Sequence, residues 1–364
     1  MSKRTHPSTT TTTTSKKPRR SNRVARQKYG PCWSGTTTDL NTTLVLDTRK
    51  YQASHYDAKK SRLNLLQDVW EYKIVPLLNV TELAVLRPTC TWFEQRWQDF
   101  LAKNQIRIPQ DVPTIDQAME IASILSEQKE FTKDSPLVVL LSESEHVVEG
   151  SATDSDGYLL ETTLEIPCEN VSLVGQGSNK TTVLGGLVVV NKKNVTLKNL
   201  TLTNPSWIGL SVQGEASVEM LDVSVHKCSV AGMTVGLGAS VQATRCEFSE
   251  NTEVGVQVSS GGAKGFFTDC TIHHHGIHAL LAHGEGTVVE LRGKQTEINH
   301  NGRWGLIAAN HATINIYVPS RPITTLVHDN DYKNLDSGGG GKIQSQLSSS
   351  LLELTVIHRD GESV

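Results

Sequence analysis

The chain has 364 residues, with 35 Lys and Arg against 38 Asp and Glu, for a formal net charge of −3. Aromatic residues make up 5% and glycines number 28, which suits a core of Val, Leu, Ile and Ala with many tight corners and speaks against a β-sandwich or an α/β enzyme. The sequence has no apolar run of 18 residues for a bilayer and no apolar leader near its start, so the expected compartment is the nucleus or cytoplasm, with no membrane partner.

Residues 1–60 include the run Thr9 to Thr14 and too few apolar side chains to fold, so they read as a disordered tail. The charge is unevenly placed. Residues 1–28 carry nine Lys and Arg and no acid, leaving 26 basic against 38 acidic side chains in the remainder. Within the tail Lys16, Lys17, Arg19 and Arg20, followed by Arg23, Arg26 and Lys28, read as a nuclear-import or polyanion-binding patch. The bland alternative is a solvated tail. No folded DNA-reading motif accompanies the patch, so no specific nucleic acid is expected.

Residues 61–104 differ in kind, because Leu65, Leu66, Val69, Ile74, Leu77, Leu78, Leu83, Leu86, Trp92, Phe93 and Trp97 recur at helical spacing. A helical module of about 45 residues is too small to bury all of them alone, so a partner or a neighbouring domain must cover some. Leu66-Gln67-Asp68-Val69, Ile74, Leu77-Leu78, Glu82-Leu83, Leu86 and Pro88-Thr89-Cys90-Thr91-Trp92-Phe93 resemble an F-box in order and spacing. Gln67 stands where that pattern has Pro, and Pro88 interrupts its last helix. The resemblance implies a Skp-type adaptor docked on Leu66, Val69, Ile74, Leu77, Leu78, Leu83 and Leu86; an unrelated helical cap is the alternative.

From residue 105 the pattern becomes periodic. Gly186, Gly209, Gly232 and Gly255 stand 23 residues apart, and each opens an alternating apolar run such as Gly209-Leu210-Ser211-Val212. After steps of 24 and 26 the register continues at Ala279 and Gly305, so at least six units stack. Two further strands follow in each unit: Val218 and Met220, then Val223 and Val225, typify their apolar positions. A single such coil cannot bury its own apolar face and must stack on neighbours. Period-2 alternation in three short runs predicts a mainly β chain, a parallel β-helix with three sheets. Between the third and first of these runs, Asn204, Lys227, Asn251, His275 and Asn301 are expected to form a corner ladder.

Ile106-Arg107-Ile108-Pro109 and then Val112-Pro113-Thr114-Ile115-Asp116-Gln117-Ala118 resemble the opening of pectin-lyase-like right-handed β-helices, a strand followed by a helix that plugs the end. Thr114 and Gln117 have capping-box spacing, and Ile115, Ala118, Ile121 and Leu125 form one apolar face. The β-helix is expected over 105–330, with Leu137 to Leu141 and Leu164 to Leu173 as early coils and 331–364 as a Gly/Ser-rich tail.

Three constellations bear on chemistry. Asp222, Arg245 and Asp269 share an outward column, and carboxylates so placed on a β-helix are candidates for polysaccharide cleavage; alternating charges are also what neighbouring strands select for pairing alone. His273, His274, His275, His278 and His283 are candidates for metal binding, read here as a surface turn with no metal and no cofactor. His283-Gly284-Glu285-Gly286 lacks the paired Asp motif that a sugar hydrolase needs. Cys246 and Cys270 read as small buried hydrophobes. Together, an F-box-like module before a β-helix resembles the F-box-only proteins with carbohydrate-binding and sugar-hydrolase-type solenoids. This implies a substrate-recognition subunit of a Skp-cullin-F-box ubiquitin ligase, with no catalysis of its own and a protein substrate on the solenoid. The alternatives are a glycan-binding or glycan-degrading β-helix and an inert scaffold.

Overall fold

The computed structural model describes residues 98, 102–153, 157, 159–317 and 322–345. From Gln105 onward the chain winds as a parallel β-helix, each full coil placing one strand in each of three sheets. Sheet I has ten strands, from Gln105–Ile108 to Lys342–Ser345. Sheets II and III have eight each, ending in Val327–His328 and Lys333–Gly338. Neighbouring coils pair in parallel register: Val195 faces Val218 and Val218 faces Val241 in sheet I, as Leu210 faces Met233 and Met233 faces Val256 in sheet III. Successive coils therefore stack like residues about 4.8 Å apart. The interior column compensates large with small. Gly265 makes room for Phe267, which lies next to Ala243 and meets Phe248 edge to face at 6.1 Å.

The predicted plug is present as a helix, Ile115–Gln128. Thr114 caps it by accepting the Gln117 N–H at 3.2 Å, and Ile115, Ala118, Met119, Ile121, Ala122 and Leu125 are buried in the same core as the first coils. Asp116 in its first turn accepts the Gly150 N–H at 3.0 Å. There a hairpin not foreseen in the sequence begins, pairing Ser151–Thr153 with Leu159–Glu161 antiparallel. Its Ala152 and Leu160 pack on Val188 and Val190, which explains why that outward face of sheet III opens apolar before turning to Ser211 and Gln213 one coil later.

The repeated glycines have a steric cause. Gly186, Gly209, Gly232, Gly255 and Gly305 lack positive φ, so no special backbone conformation demands them. A Cβ on Gly232 would lie 2.6 Å from Asn251 Nδ2 and 2.7 Å from the Gly255 carbonyl; on Gly305 it would lie 2.7 Å from Asn330 Nδ2. Each glycine thus gives its space to a side chain packed into the corner of the next coil. That corner is a ladder in which a backbone N–H donates to the following coil: Cys228 to Asn251 Oδ1 at 2.9 Å, Asn251 to His275 Nδ1 at 3.2 Å, His275 to Asn301 Oδ1 at 3.0 Å and Asn301 to Asn330 Oδ1 at 3.2 Å.

Two expectations are corrected. Lys227 is not a ladder residue: it precedes the rung, exposed, with φ 56°, and its ammonium faces Glu250 at 3.8 Å, while buried Cys228 takes the rung. A charged side chain has no partner inside that corner, whereas a thiol fills it as a small hydrophobe. The solenoid also does not stop at 330. Lys333–Gly338 and Lys342–Ser345 add strands to sheets III and I, with Ile343 in the core and Leu335 packed against it, joined by a turn at Gly339 and Gly340 of positive φ. Cys168, Cys228, Cys246 and Cys270 are free and buried, and burial pushes the thiols of Cys168 and Cys228 up to about 11, as inert hydrophobes would be. Among the described residues no helix is long and apolar enough to cross a membrane.

Candidate functional site at the corners of the solenoid

Asp222, Arg245 and Asp269 do form a column, but at the corner between sheets I and II rather than on a sheet face. All three take left-handed backbone, with φ 54°, 51° and 53°, as does Asn199 one coil earlier. Arg245 grips Asp222 through two hydrogen bonds, Nε to Oδ1 and Nη2 to Oδ2, each 2.7 Å. The guanidinium holds the Asp222 carboxyl below its usual range. Asp269 Oδ1 instead accepts the Gln295 N–H at 2.9 Å and so fastens the longer corner that follows Gly293. Both carboxylates are occupied by local architecture, and neither is aimed with the other at a shared substrate position.

The corner between sheets II and III is different. On the outward face of sheet II, His226, Ser249, His273, Asn299 and His328 follow one another in register, beside a second column containing Glu247, Thr271 and Glu297. His273 Nε2 lies 3.1 Å from Glu247 Oε1, and His328 lies 3.1 Å from Glu297 and 2.9 Å from Asp329. Hydrogen bonding to Asp329 raises the His328 pKa, with Glu297 adding to it, whereas burial lowers that of His226. The residues next along the chain, Lys227, Glu250, His274, His300 and Asp329, all have positive φ and line the corner itself. Two of these acids, Glu247 and Glu297, reach the histidines from other coils, and Asp329 is the chain neighbour of His328.

Past the buried Asn ladder, on the sheet III side, lies an aromatic strip. His278 packs on Trp304 at 4.7 Å, Trp304 meets Tyr332 edge to face at 5.3 Å, and Arg303 and Lys333 sit over the Trp304 and Tyr332 rings at 5.1 and 5.5 Å. Tyr332 is 65% exposed. Burial lowers the His278 pKa, and Arg303 lowers it further. None of this strip was legible beforehand except His278, since its members stand a full coil apart in sequence. His283 closes its strand against Asn310 Nδ2 at 2.7 Å, and Gly284 and Gly286 form a turn of positive φ. An open pocket of about 420 Å³ lies at the first coils, lined in part by Arg107, Gln110, Ser142 and Glu143. Among the described residues, no group of three or more His, Cys, Asp or Glu side chains is placed to hold a metal ion. Leu66, Val69, Ile74, Leu77, Leu78, Leu83 and Leu86, like Lys16, Lys17, Arg19 and Arg20, lie outside the described residues.

The sequence pattern described as "Right handed beta helix region" matches residues 184–351, which identifies this stretch as a right-handed β-helix. No curated protein matches the chain. Among solved structures, ORF18 of Geobacillus virus E2 is similar at 11% identity and TM-score 0.38, covering 71% of this chain and 64% of its own. The chain thus spans less than two thirds of that protein's length. Pectin methylesterase from Yersinia enterocolitica is similar at 12% identity and TM-score 0.39, over 65% of this chain and 94% of its own. Pectate lyase Pel9A is similar at 10% identity and TM-score 0.35, over 58% and 69%. At these values no residue role passes from them to this chain.

Proposed function

We propose that the chain is a recognition protein: the β-helix presents the corner between sheets II and III to a protein partner, and residues 61–104 dock a Skp-type adaptor of a cullin ubiquitin ligase. One observation carries the binding half of this reading. Trp304, Tyr332 and Arg303 are stacked on one ridge of a rigid scaffold, and Trp, Tyr and Arg are the residue types that concentrate binding energy at protein interfaces. A ridge suits a macromolecule, whereas small molecules are taken up in enclosed clefts. The adaptor half rests on the F-box resemblance, whose leucines exceed what so short a module can bury.

Purified full-length chain and a Skp-type adaptor test the second half. The parent should bind, and Leu77→Ala combined with Leu78→Ala should abolish binding while the β-rich circular dichroism stays intact. A parent that binds no such adaptor sinks the ligase reading. A glycan reading is favoured by one observation, the exposed Tyr332 ring beside Lys333, which suits the apolar face of an acidic sugar. Under the recognition reading the protein cleaves neither pectate, alginate nor galacturonan. A rate on any of them that is lost in Asp269→Asn reverses the order of the two readings.

A further inference from the structure

Sheet III turns apolar side chains outward in two places. In the first, Val188 and Val190 are covered by Ala152 and Leu160 of the hairpin. The Val188 column then runs through Ser211, Thr234 and Gln257 in register and becomes apolar again at Leu281 and Ile307. Leu281 and Ile307 are half-buried and belong to neither buried cluster, and so is Ile277 at the corner that leads into the Leu281 strand. With Trp304 and Tyr332 they make one apolar patch. Exposed charges flank it symmetrically. A corner column reads Val230, Glu253, Ile277, Arg303 and Tyr332, each N–H donating to the carbonyl of the residue before it. Glu253 and Arg303 are exposed and form no ion pair with a described residue. They stand one coil to either side of Ile277, about 10 Å from each other.

We infer that this patch is an interface between two copies of the chain, related by a two-fold axis that crosses the ridge at the coil of Ile277. The inference rests on the reading of the ridge as a protein-binding surface and specifies the protein bound there; the adaptor is left to residues 61–104. Reversing one ridge about that axis sets Ile277 on Ile277 and Leu281 on Leu281 of the second copy. It also lays Glu253 of each copy against Arg303 of the other, and Tyr332 of each against Val230 of the other. Ridges running in the same sense would instead oppose Glu253 to Glu253 and Arg303 to Arg303, which repel. His278 meets its own counterpart beside the axis, and since burial lowers its pKa the two rings are neutral at pH 7 and add no repulsion. The patch spans only about 20 Å along the ridge, which puts the interface at the small end for specific contacts and makes the dimer reversible.

The test is sedimentation velocity of the full-length chain in low salt, from about 1 to about 100 µM. The parent should pass from monomer to dimer across this range. Leu281→Glu brings two carboxylates together at the axis, while Glu253→Arg or Arg303→Glu gives both charge contacts the same sign; each should weaken dimerisation at least about tenfold. An equimolar mixture of the Glu253→Arg and Arg303→Glu chains should dimerise again, because each copy then offers the charge the other lacks. Lys264→Glu, an exposed position on sheet I, should change nothing. Melting midpoints of the dilute variants should equal the parent's, which separates a lost contact from misfolding. A parent still monomeric at about 100 µM, a dimer as tight in Leu281→Glu as in the parent, or a mixture that fails to pair overturns the inference. A monomeric chain that still binds the adaptor leaves the ligase reading standing, whereas a dimer that binds no adaptor removes that reading alone.

Discussion

Two corners of one solenoid use the same left-handed backbone residue and hold it by opposite means. Between sheets I and II, Asn199, Asp222, Arg245 and Asp269 point outward, and an apolar residue follows each directly: Leu200, Val223, Cys246 and Cys270, all buried. Between sheets II and III the left-handed residue is followed by a rung, buried Asn251, His275 or Asn301 or half-buried Asn330, whose side chain accepts the N–H of the coil before. The first corner is sealed by hydrophobic burial and decorated with charges that water largely screens. The second buries polar groups and is held by the hydrogen bonds from rung to rung, although His275 Nε2 is buried there without a partner. Charge pairs that look functional can therefore be the dispensable feature, and a silent Asn the indispensable one.

That contrast can be broken in graded steps. The largest effect is expected from Gly232→Ala, whose methyl would collide with Asn251 and the Gly255 backbone; overpacking of this kind should cost about 3 kcal/mol in chemical denaturation. Gly338→Ala, with open space around it and no positive φ, is the control and should be nearly neutral. Asn251→Ala leaves the Cys228 N–H buried without an acceptor, and should cost about 2 kcal/mol by the same measurement. Acid should act on the same corner through His275, whose pKa burial lowers to about 3. Below the unfolded value of about 6.5 the unfolded chain takes up a proton that the folded one refuses, so stability is full above that pH and falls by about 1.4 kcal/mol per unit as pH drops toward 3. Melting at pH 5.5 and 7.5 should show a larger loss in the parent than in His275→Asn, which keeps the contributions of His226 and His278; equal losses in both would place the acid sensitivity elsewhere. The smallest effect belongs to the other corner. Asp222→Asn removes an exposed ion pair and should change stability by less than about 1 kcal/mol, a difference that shrinks further in high salt.

The repeat was legible because its glycines are obligatory and its inward residues alternate, so the strands of sheets I and II fell where Val195, Val218 and Val241 or Val225 and Phe248 placed them. The reason for the glycines was not legible, since it lies in side chains one coil away. Nor was the slip at Lys227. Asn204 stands five residues before Gly209, while Cys228, Asn251 and His275 stand four before the next strand-opening residue, so one residue has moved across the rung without changing the 23-residue step. A period fixes the length of a coil, but not where along it the chain turns. The histidine and aromatic strips escaped for a related reason. Glu247, His273 and His328, or Arg303, Trp304 and Tyr332, become neighbours only when coils are stacked in their true register. The hairpin on Val188 was hidden because an antiparallel pair of three-residue strands carries too little periodicity to stand out.

The Asn ladder runs in one direction. Each rung's N–H is satisfied by the coil after it, and the last, Asn330, turns to Asn334 Oδ1 at 3.3 Å within its own coil. A chain cut after any inner rung would end on a donor with nothing to receive it, whereas a chain begun at an inner rung would lose no donor's partner. The two ends of the solenoid are thus unequal as places to grow or to fray: the helix-plugged end can lose a coil without orphaning a rung, and the far end must always finish on a rung whose N–H finds its acceptor within its own coil.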